Sequence, residues 1–91
     1  MANTPGYDFI NYLELLVRGI VRERTAVSVA FNEDDQGVLL TLTVHKRDMG
    51  RVIGKDGATA KNIRALMHAF GANLGSKVSV KILEPISGAT A

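Results

Sequence analysis

The sequence predicts a single small α+β domain, on the evidence of its length and of two kinds of hydrophobic periodicity. Its 91 residues, 46% hydrophobic and 22% charged, suffice for one modest core. Apolar residues recur at helical spacing in some segments and alternate with polar ones in others. The predicted order is helix, strand, strand, short helix, longer helix, strand.

The first half of the chain predicts a helix followed by a β-hairpin. Apolar residues recur every three to four positions from near Tyr7 to near Arg24, which is the pattern of an amphipathic helix. Alternation over residues 27–32 and 38–44 predicts two strands. The polar segment 32–37, which ends in glycine, predicts the turn between them.

The second half predicts two helices and a last strand. Asp48 is placed to cap a short helix that runs through Ile53, and the segment G-K-D-G at 54–57 interrupts it. A longer helix is expected from about Ala58 to Leu74, and Gly75 is a stop signal. Its predicted core face consists of Ile63, Met67, Phe70 and Leu74.

Alternation over residues 78–82 predicts the last strand, and Pro85 is expected to end it. The sequence shows neither an internal repeat nor a linker. We therefore expect one domain over residues 1–84 and a flexible C-terminal tail over residues 85–91.

Positive charge is concentrated around the G-K-D-G segment. The net charge is only +2, yet residues 45–64 contain six lysines and arginines against two aspartates. Such a distribution favours a polyanionic partner, although a solvated basic face produces the same pattern.

Several functional classes find no support in the sequence. Cysteine is absent, and His45 and His68 have no clustered carboxylates beside them, so we expect no metal and no cofactor. No serine has a recognisable nucleophile context, which argues against an enzyme with a small-molecule substrate. The start MANTPGYDF lacks a signal-peptide pattern, and no apolar run approaches the ~20 residues of a membrane span. We expect a cytoplasmic, non-catalytic protein.

The G-K-D-G segment predicts an anion-binding loop. A break between two helices leaves the first amides of the second helix unpaired, at the positive end of its dipole. Gly54 and Gly57 would let a phosphate–sugar backbone approach closely, Lys55 would add a cation, and Asp56 is expected to cap the long helix. A structural corner between helices is the alternative. A nucleotide-binding P-loop is set aside, because the segment is one residue too short and has Asp56 where magnesium needs Ser or Thr.

The longer segment G-R-V-I-G-K-D-G-A-T-A-K-N-I-R-A-L, residues 50–66, resembles the signature of the KH domain. The element order αββααβ is that of the type II version. With the ending V-S-V-K-I-L-E, the chain resembles, over nearly all its length, the KhpA family of small bacterial single-KH RNA-binding proteins. The resemblance implies a type II KH fold, in which three helices pack on one face of a three-stranded sheet. Asp56 departs from the basic or neutral residues that the family prefers.

The resemblance also implies a groove for about four unpaired nucleotides, whose backbone the glycine loop clamps. Val52 and Ile53 are expected to offer aliphatic surface to the bases, and the basic residues are expected to flank the loop. The predicted RNA-binding residues are Arg47, Arg51, Val52, Ile53, Gly54, Lys55, Asp56, Gly57, Lys61 and Arg64.

The family resemblance implies a role as an RNA chaperone or post-transcriptional regulator. It further implies a homodimer, or a heterodimer with a larger KH protein of the KhpB type. The alternative is a KH-fold protein–protein interaction domain that dimerises and binds RNA negligibly.

The long helix predicts a surface for self-association. In helical projection Leu66 lies beside the core face and next to a flank of small residues, where another helix can approach closely. The alternative is that Leu66 only widens the core face. The predicted interface residues are Ala58, Asn62, Ala65, Leu66 and Ala69.

Overall fold

The helices and strands follow the predicted order. The computed structural model describes the backbone of residues 5–83 and the side chains from residue 8 onwards. Its main elements are α1 (Pro5–Arg18), β1 (Ser28–Asp34), β2 (Gly37–Thr43), α2 (Met49–Ile53), α3 (Ala58–Asn73) and β3 (Val78–Ile82). The predicted boundary at residue 84 and the tail 85–91 lie outside the described residues.

The three strands form one mixed sheet with β2 in the centre. Strand β1 pairs antiparallel with β2, and β3 pairs parallel with β2. Leu40 and Leu42 of β2 are fully buried, because their side chains point to the face on which α1, α2 and α3 pack. The predicted α+β architecture, with three helices on a three-stranded sheet, is confirmed.

Among the strands that the structure describes, β3 pairs only with β2 and forms an open edge of the sheet. The Val38 N–H donates to the Lys77 carbonyl and the Leu83 N–H donates to the Leu42 carbonyl, each at 2.8 Å. In a parallel pair, alternate residues direct both backbone groups to the same neighbour. The N–H and C=O groups of Val78 and Val80 therefore point away from β2, towards the open edge.

The hairpin is tighter than the sequence predicted. The strands extend to Asp34 and from Gly37, so that only Asp35 and Gln36 form the turn, and the Asp34 carboxylate accepts the Gln36 N–H at 2.8 Å. Pairing of both strands up to this turn lengthens the ladder by two residues beyond Asn32.

Helix α1 is shorter than predicted, because it ends at Arg18 rather than near Arg24. Past Gly19 the Val21 N–H still reaches the Val17 carbonyl at 3.1 Å, which keeps Val21 in the core. The helical spacing of the apolar residues therefore continues past the end of the regular helix.

Asp48 occupies the N-cap position of α2 as predicted, but its side chain makes no capping hydrogen bond there. Its carboxylate is only 1% exposed and accepts the backbone N–H groups of Arg22 at 3.1 Å and Glu23 at 3.0 Å. It thereby ties the chain that follows α1 to the start of α2. The Glu23 N–H lowers the pKa of the Asp48 carboxyl most, and the Arg22 N–H lowers it next, whereas burial raises it. The neighbouring side chains of Arg51 and His45 lower this pKa further.

The C-terminal end of α3 also differs from the prediction. Leu74 is 48% exposed rather than part of the core, because the helix ends at Asn73. Gly75 adopts φ +78 just after it and so ends the helix as predicted. Gly71 faces β3 so closely that a Cβ atom there would lie 2.6 Å from Val78 Cγ2.

Candidate nucleic-acid interface

The G-K-D-G loop turns the chain sharply between α2 and α3. Three of its four residues have positive φ: Gly54 at +78, Asp56 at +56 and Gly57 at +79. Asp56 is the single non-glycine residue with positive φ in the described chain, a conformation that aspartate tolerates better than most residues. The loop conformation therefore depends on the glycines and on the aspartate.

The two glycines serve different purposes. A Cβ atom at Gly54 would lie 2.7 Å from both the Cβ and the backbone nitrogen of Thr59, so this glycine lets the loop pack against the first turn of α3. A Cβ atom at Gly57 would meet nothing within 4 Å. Gly57 therefore leaves open space beside the helix entrance, where a ligand backbone can approach.

Asp56 does not cap α3, contrary to the prediction. Gly57 occupies the N-cap position, and the first turn receives no side-chain hydrogen bond there. The Ala58 N–H turns back to the Lys55 carbonyl. The positive end of the α3 dipole thus has no side-chain cap, which favours an anion at this position.

A groove runs between α3 and the open edge of β3. It encloses a cavity of about 370 Å³, and the Arg64 Nε–H donates to the Val80 carbonyl at 3.2 Å across it. Lys61 is exposed one turn earlier on this side of α3. The groove is lined by Arg64, Ala65, His68, Val78, Ser79 and Val80.

The aliphatic pair before the loop separates into one buried and one accessible residue. Val52 is fully buried in the core, so its side chain cannot offer surface to a base, and the prediction for this residue is wrong. Because α2 is a single short helix against α3, one member of the pair must face inward. Ile53 is half-buried and keeps accessible surface next to Gly54.

Arg47 and Arg51 do not line the α3–β3 groove. The structure brings them together with Arg22, Glu23 and Asp48 around a separate cavity of about 250 Å³. Sequence reasoning missed Arg22, because the contact that places it there spans 26 residues. It also missed the Val80 backbone, which only the parallel pairing of β3 reveals.

The residues predicted for self-association are all exposed, and Leu66 has 47% of its surface accessible. Ala65, however, lines the α3–β3 groove beside Arg64 rather than the Leu66 side of the helix. Leu66 lies one turn before Phe70, which stacks on Tyr12 of α1 with ring centroids 4.4 Å apart. The predicted surface therefore separates into a Leu66 side and a groove side.

Two absences hold for the part of the chain that the structure describes. Residues 5–83 contain no group of three or more histidine, cysteine or acidic side chains that could hold a metal ion. Among the helices of this same range, none combines the length and apolar character needed to cross a membrane.

The family model for the KhpA/KhpB KH domain matches residues 10–82. The proteins named RNA-binding protein KhpA from Bacillus subtilis and Streptomyces coelicolor are 41% and 42% identical to this chain. The first alignment covers 76% of this chain and 85% of the relative, and the second covers 65% and 75%. The KhpA protein of Listeria monocytogenes strain EGD-e is 39% identical, over 76% of this chain and 91% of its own.

A solved structure shows the same fold at low sequence identity. The crystal structure of a variant of Aquifex aeolicus Era bound to GDP and aluminium fluoride superposes with a TM-score of 0.63 at 17% identity. The match covers 92% of this chain and 32% of the Era chain, and it supports the fold alone. The family match over residues 10–82 and the identity to several KhpA proteins show that this chain belongs to the KhpA/KhpB KH-domain family.

Proposed function

We propose that this protein is a non-catalytic single-stranded RNA-binding domain that clamps about four nucleotides with its Gly54–Gly57 loop. The observation that carries the proposal is the open space at Gly57, beside the uncapped positive end of α3. An RNA phosphate fits this position by charge and by steric access. The relatives named RNA-binding protein KhpA support the same ligand class.

The groove beside the loop supplies the surroundings that unpaired bases need. Ile53 offers aliphatic surface, and Lys61 and Arg64 place positive charge along the path of the strand. The outward backbone groups of Val78 and the Val80 N–H can hydrogen-bond base edges, as single-stranded RNA recognition requires, whereas the Val80 carbonyl accepts from Arg64. The strand is proposed to run from the loop along the groove between α3 and β3.

A matched pair of glycine variants tests the clamp. Gly57 and Gly75 have nearly equal φ values, +79 and +78. A Cβ atom at either position would meet nothing within 4 Å. Gly57→Asp and Gly75→Asp therefore impose similar backbone strain and the same charge change, at opposite ends of α3. We expect Gly57→Asp to lose RNA binding in fluorescence titrations and Gly75→Asp to keep it. Unchanged affinity in folded Gly57→Asp protein would remove the clamp.

Salt and duplex competition test the binding mode. Contact with about two to four phosphates of a single strand gives a slope of log K against log salt of roughly −1.4 to −2.8. Duplex RNA and duplex DNA should compete poorly, because paired bases cannot enter the groove. Stronger binding to duplexes would instead indicate a nonspecific basic surface.

In the cell we propose a role as an RNA chaperone or post-transcriptional regulator in the cytoplasm. A homodimer, or a heterodimer with a larger KH protein of the KhpB type, would present two loops to one RNA. A second candidate function is an interaction domain that dimerises and binds RNA negligibly, which the 47% exposed Leu66 favours. Titration of the wild-type protein with short single-stranded RNA separates the two, because only the first predicts saturable binding.

A further inference from the structure

A second basic cavity is separate from the α3–β3 groove and shares none of its lining residues. It has a volume of about 250 Å³, room for a phosphate group with several waters at ~30 Å³ each. Two parts of the chain that are distant in sequence meet there, the segment after α1 and the start of α2. The cavity is lined by Arg22, Glu23, Arg47, Asp48 and Arg51.

Asp48 holds this cavity together without making it acidic. Its carboxylate is buried and accepts the N–H groups of Arg22 and Glu23, while the Arg51 Nε lies 3.8 Å from Oδ1. The negative charge of Asp48 is thus already matched by two backbone donors and one neighbouring guanidinium. Glu23 is the other acidic residue of the cavity; it is exposed, and its negative charge repels a bound phosphate.

Three exposed arginines line the cavity together with this buried carboxylate. Arg22, Arg47 and Arg51 are each exposed, so their guanidinium groups can reorient towards a ligand. A guanidinium offers planar paired donors that match the oxygens of a phosphate, and several together form a typical phosphate site. The chemistry of the cavity therefore fits a phosphodiester.

The position of the cavity indicates which phosphodiester it would take. Arg51 precedes Gly54 by three residues, a rise of about 4.5 Å along a helix axis. Because Arg51 lines the cavity and lies this close to the loop, a strand held at residues 54–57 can place a neighbouring phosphate at the cavity. We infer that the Arg22–Arg47–Arg51 cavity binds a backbone phosphate of the same RNA strand, outside the four nucleotides of the groove. The inference rests on the proposed RNA clamp and extends it.

A length series of single-stranded RNA with a matched arginine pair tests this inference. Arg22→Gln removes one cavity guanidinium and leaves the backbone N–H that bonds Asp48. Arg24→Gln makes the same charge change at an exposed residue that does not line the cavity. Oligonucleotides of about four and about eight residues, titrated at several salt concentrations, separate groove binding from the additional contact.

We expect the wild type to bind the longer RNA several-fold more tightly than the shorter one. Arg22→Gln should remove about three- to tenfold of affinity for the longer RNA, lower its salt slope by about 0.7, and leave the shorter RNA unaffected. Arg24→Gln should behave as wild type.

Three results would overturn the inference. In the first, Arg22→Gln still binds the longer RNA more tightly than the shorter one by the wild-type factor. In the second, Arg22→Gln and Arg24→Gln lose affinity equally, as expected for a diffuse basic surface. Alternatively, an aspartate-rich peptide would bind in an Arg22-dependent manner while the longer RNA would not, which makes the cavity a peptide site. Failure of the wild type to bind even the short RNA is a different result, because it removes the proposed clamp itself.

Discussion

The guanidinium of Arg64 donates from Nε to the backbone carbonyl of Val80 at 3.2 Å, joining α3 to the open edge of β3. This bond satisfies an edge carbonyl with which no strand in residues 5–83 pairs. It also orients the guanidinium in the groove, where its remaining N–H groups can face a ligand. Arg64 is therefore both a packing residue and a candidate RNA contact.

Arg64→Lys should weaken RNA binding although the charge is kept. The ammonium of lysine is a point donor, so it cannot bond the Val80 carbonyl and present a planar pair of donors to RNA at once. We expect affinity to fall by about three- to tenfold, since a charge-assisted hydrogen bond contributes on the order of 1 kcal/mol or more. Isothermal titration with a short RNA measures this, and Lys61→Arg is the control that should keep or raise affinity.

Asp56→Asn should raise RNA affinity. Asp56 is exposed between the two glycines, where its negative charge repels a bound phosphate, and asparagine tolerates its φ of +56 equally well. We expect a gain of about two- to fivefold at low salt, which shrinks as salt screens the repulsion. Asp35→Asn, in the exposed hairpin turn, makes the same charge change at a distance and should leave affinity unchanged. Equal gains in both variants would indicate an effect of net charge alone.

Gly71→Ala should destabilise the protein although alanine favours helix. A Cβ atom at Gly71 would lie 2.6 Å from Val78 Cγ2 and 2.7 Å from the Ser76 carbonyl oxygen, so α3 would have to move off β3. We expect a loss of about 1–3 kcal/mol in the free energy of unfolding by urea. Gly50→Ala, in α2 with nothing within 4 Å, should instead stabilise by about 0.4–1 kcal/mol. A Gly71→Ala protein that is as stable as the wild type, or more stable, would contradict the close packing of α3 on β3.

Asp48 should make stability depend on pH in the acid range. Hydrogen bonds from the Glu23 and Arg22 N–H groups lower the pKa of Asp48 below its ordinary value of 3.8. The stabilisation is therefore fully present above about pH 3.8 and is lost as the pH falls through the folded-state pKa. In Asp48→Asn the carboxylate is absent at every pH.

Urea unfolding of wild type and Asp48→Asn at several pH values tests this sign. The wild type should be more stable at pH 7, and the difference should shrink below about pH 3.8. Asp34→Asn, which makes the same charge change at an exposed residue of the hairpin, is the comparison variant. A difference that grows on acidification would contradict the depressed pKa.

The spacing of apolar residues was sufficient to predict the order of helices and strands, because each helix or strand buries one face and its apolar residues therefore recur at the helical or strand period. It could not predict where α1 ends, since the N–H groups of Arg22 and Glu23 are satisfied by Asp48, far away in the sequence. Periodicity likewise could not separate Val52 from Ile53. In the candidate site, the loop was recognisable from its glycines, whereas Arg22 and the Val80 carbonyl enter through tertiary contacts alone.

The surface around Leu66 should form a dimer interface, and a second leucine provides a matched test. Leu66 and Leu74 are both on or next to α3 and are 47% and 48% exposed. Only Leu66 lies beside the small exposed residues Asn62 and Ala69, where a partner helix can approach closely. A two-fold arrangement of α3 helices through this side would leave both glycine loops free.

Leu66→Arg should therefore give a folded monomer in light scattering, whereas Leu74→Arg should remain dimeric. Because an arginine at a partly exposed position can remain solvated, we expect both variants to keep the circular dichroism of the wild type. The Leu66→Arg monomer should also bind long RNA more weakly than the dimer, and short RNA equally well, because two linked loops raise each other's effective concentration. Dissociation by Leu74→Arg with a persistent dimer in Leu66→Arg would move the interface to the C-terminal end of α3.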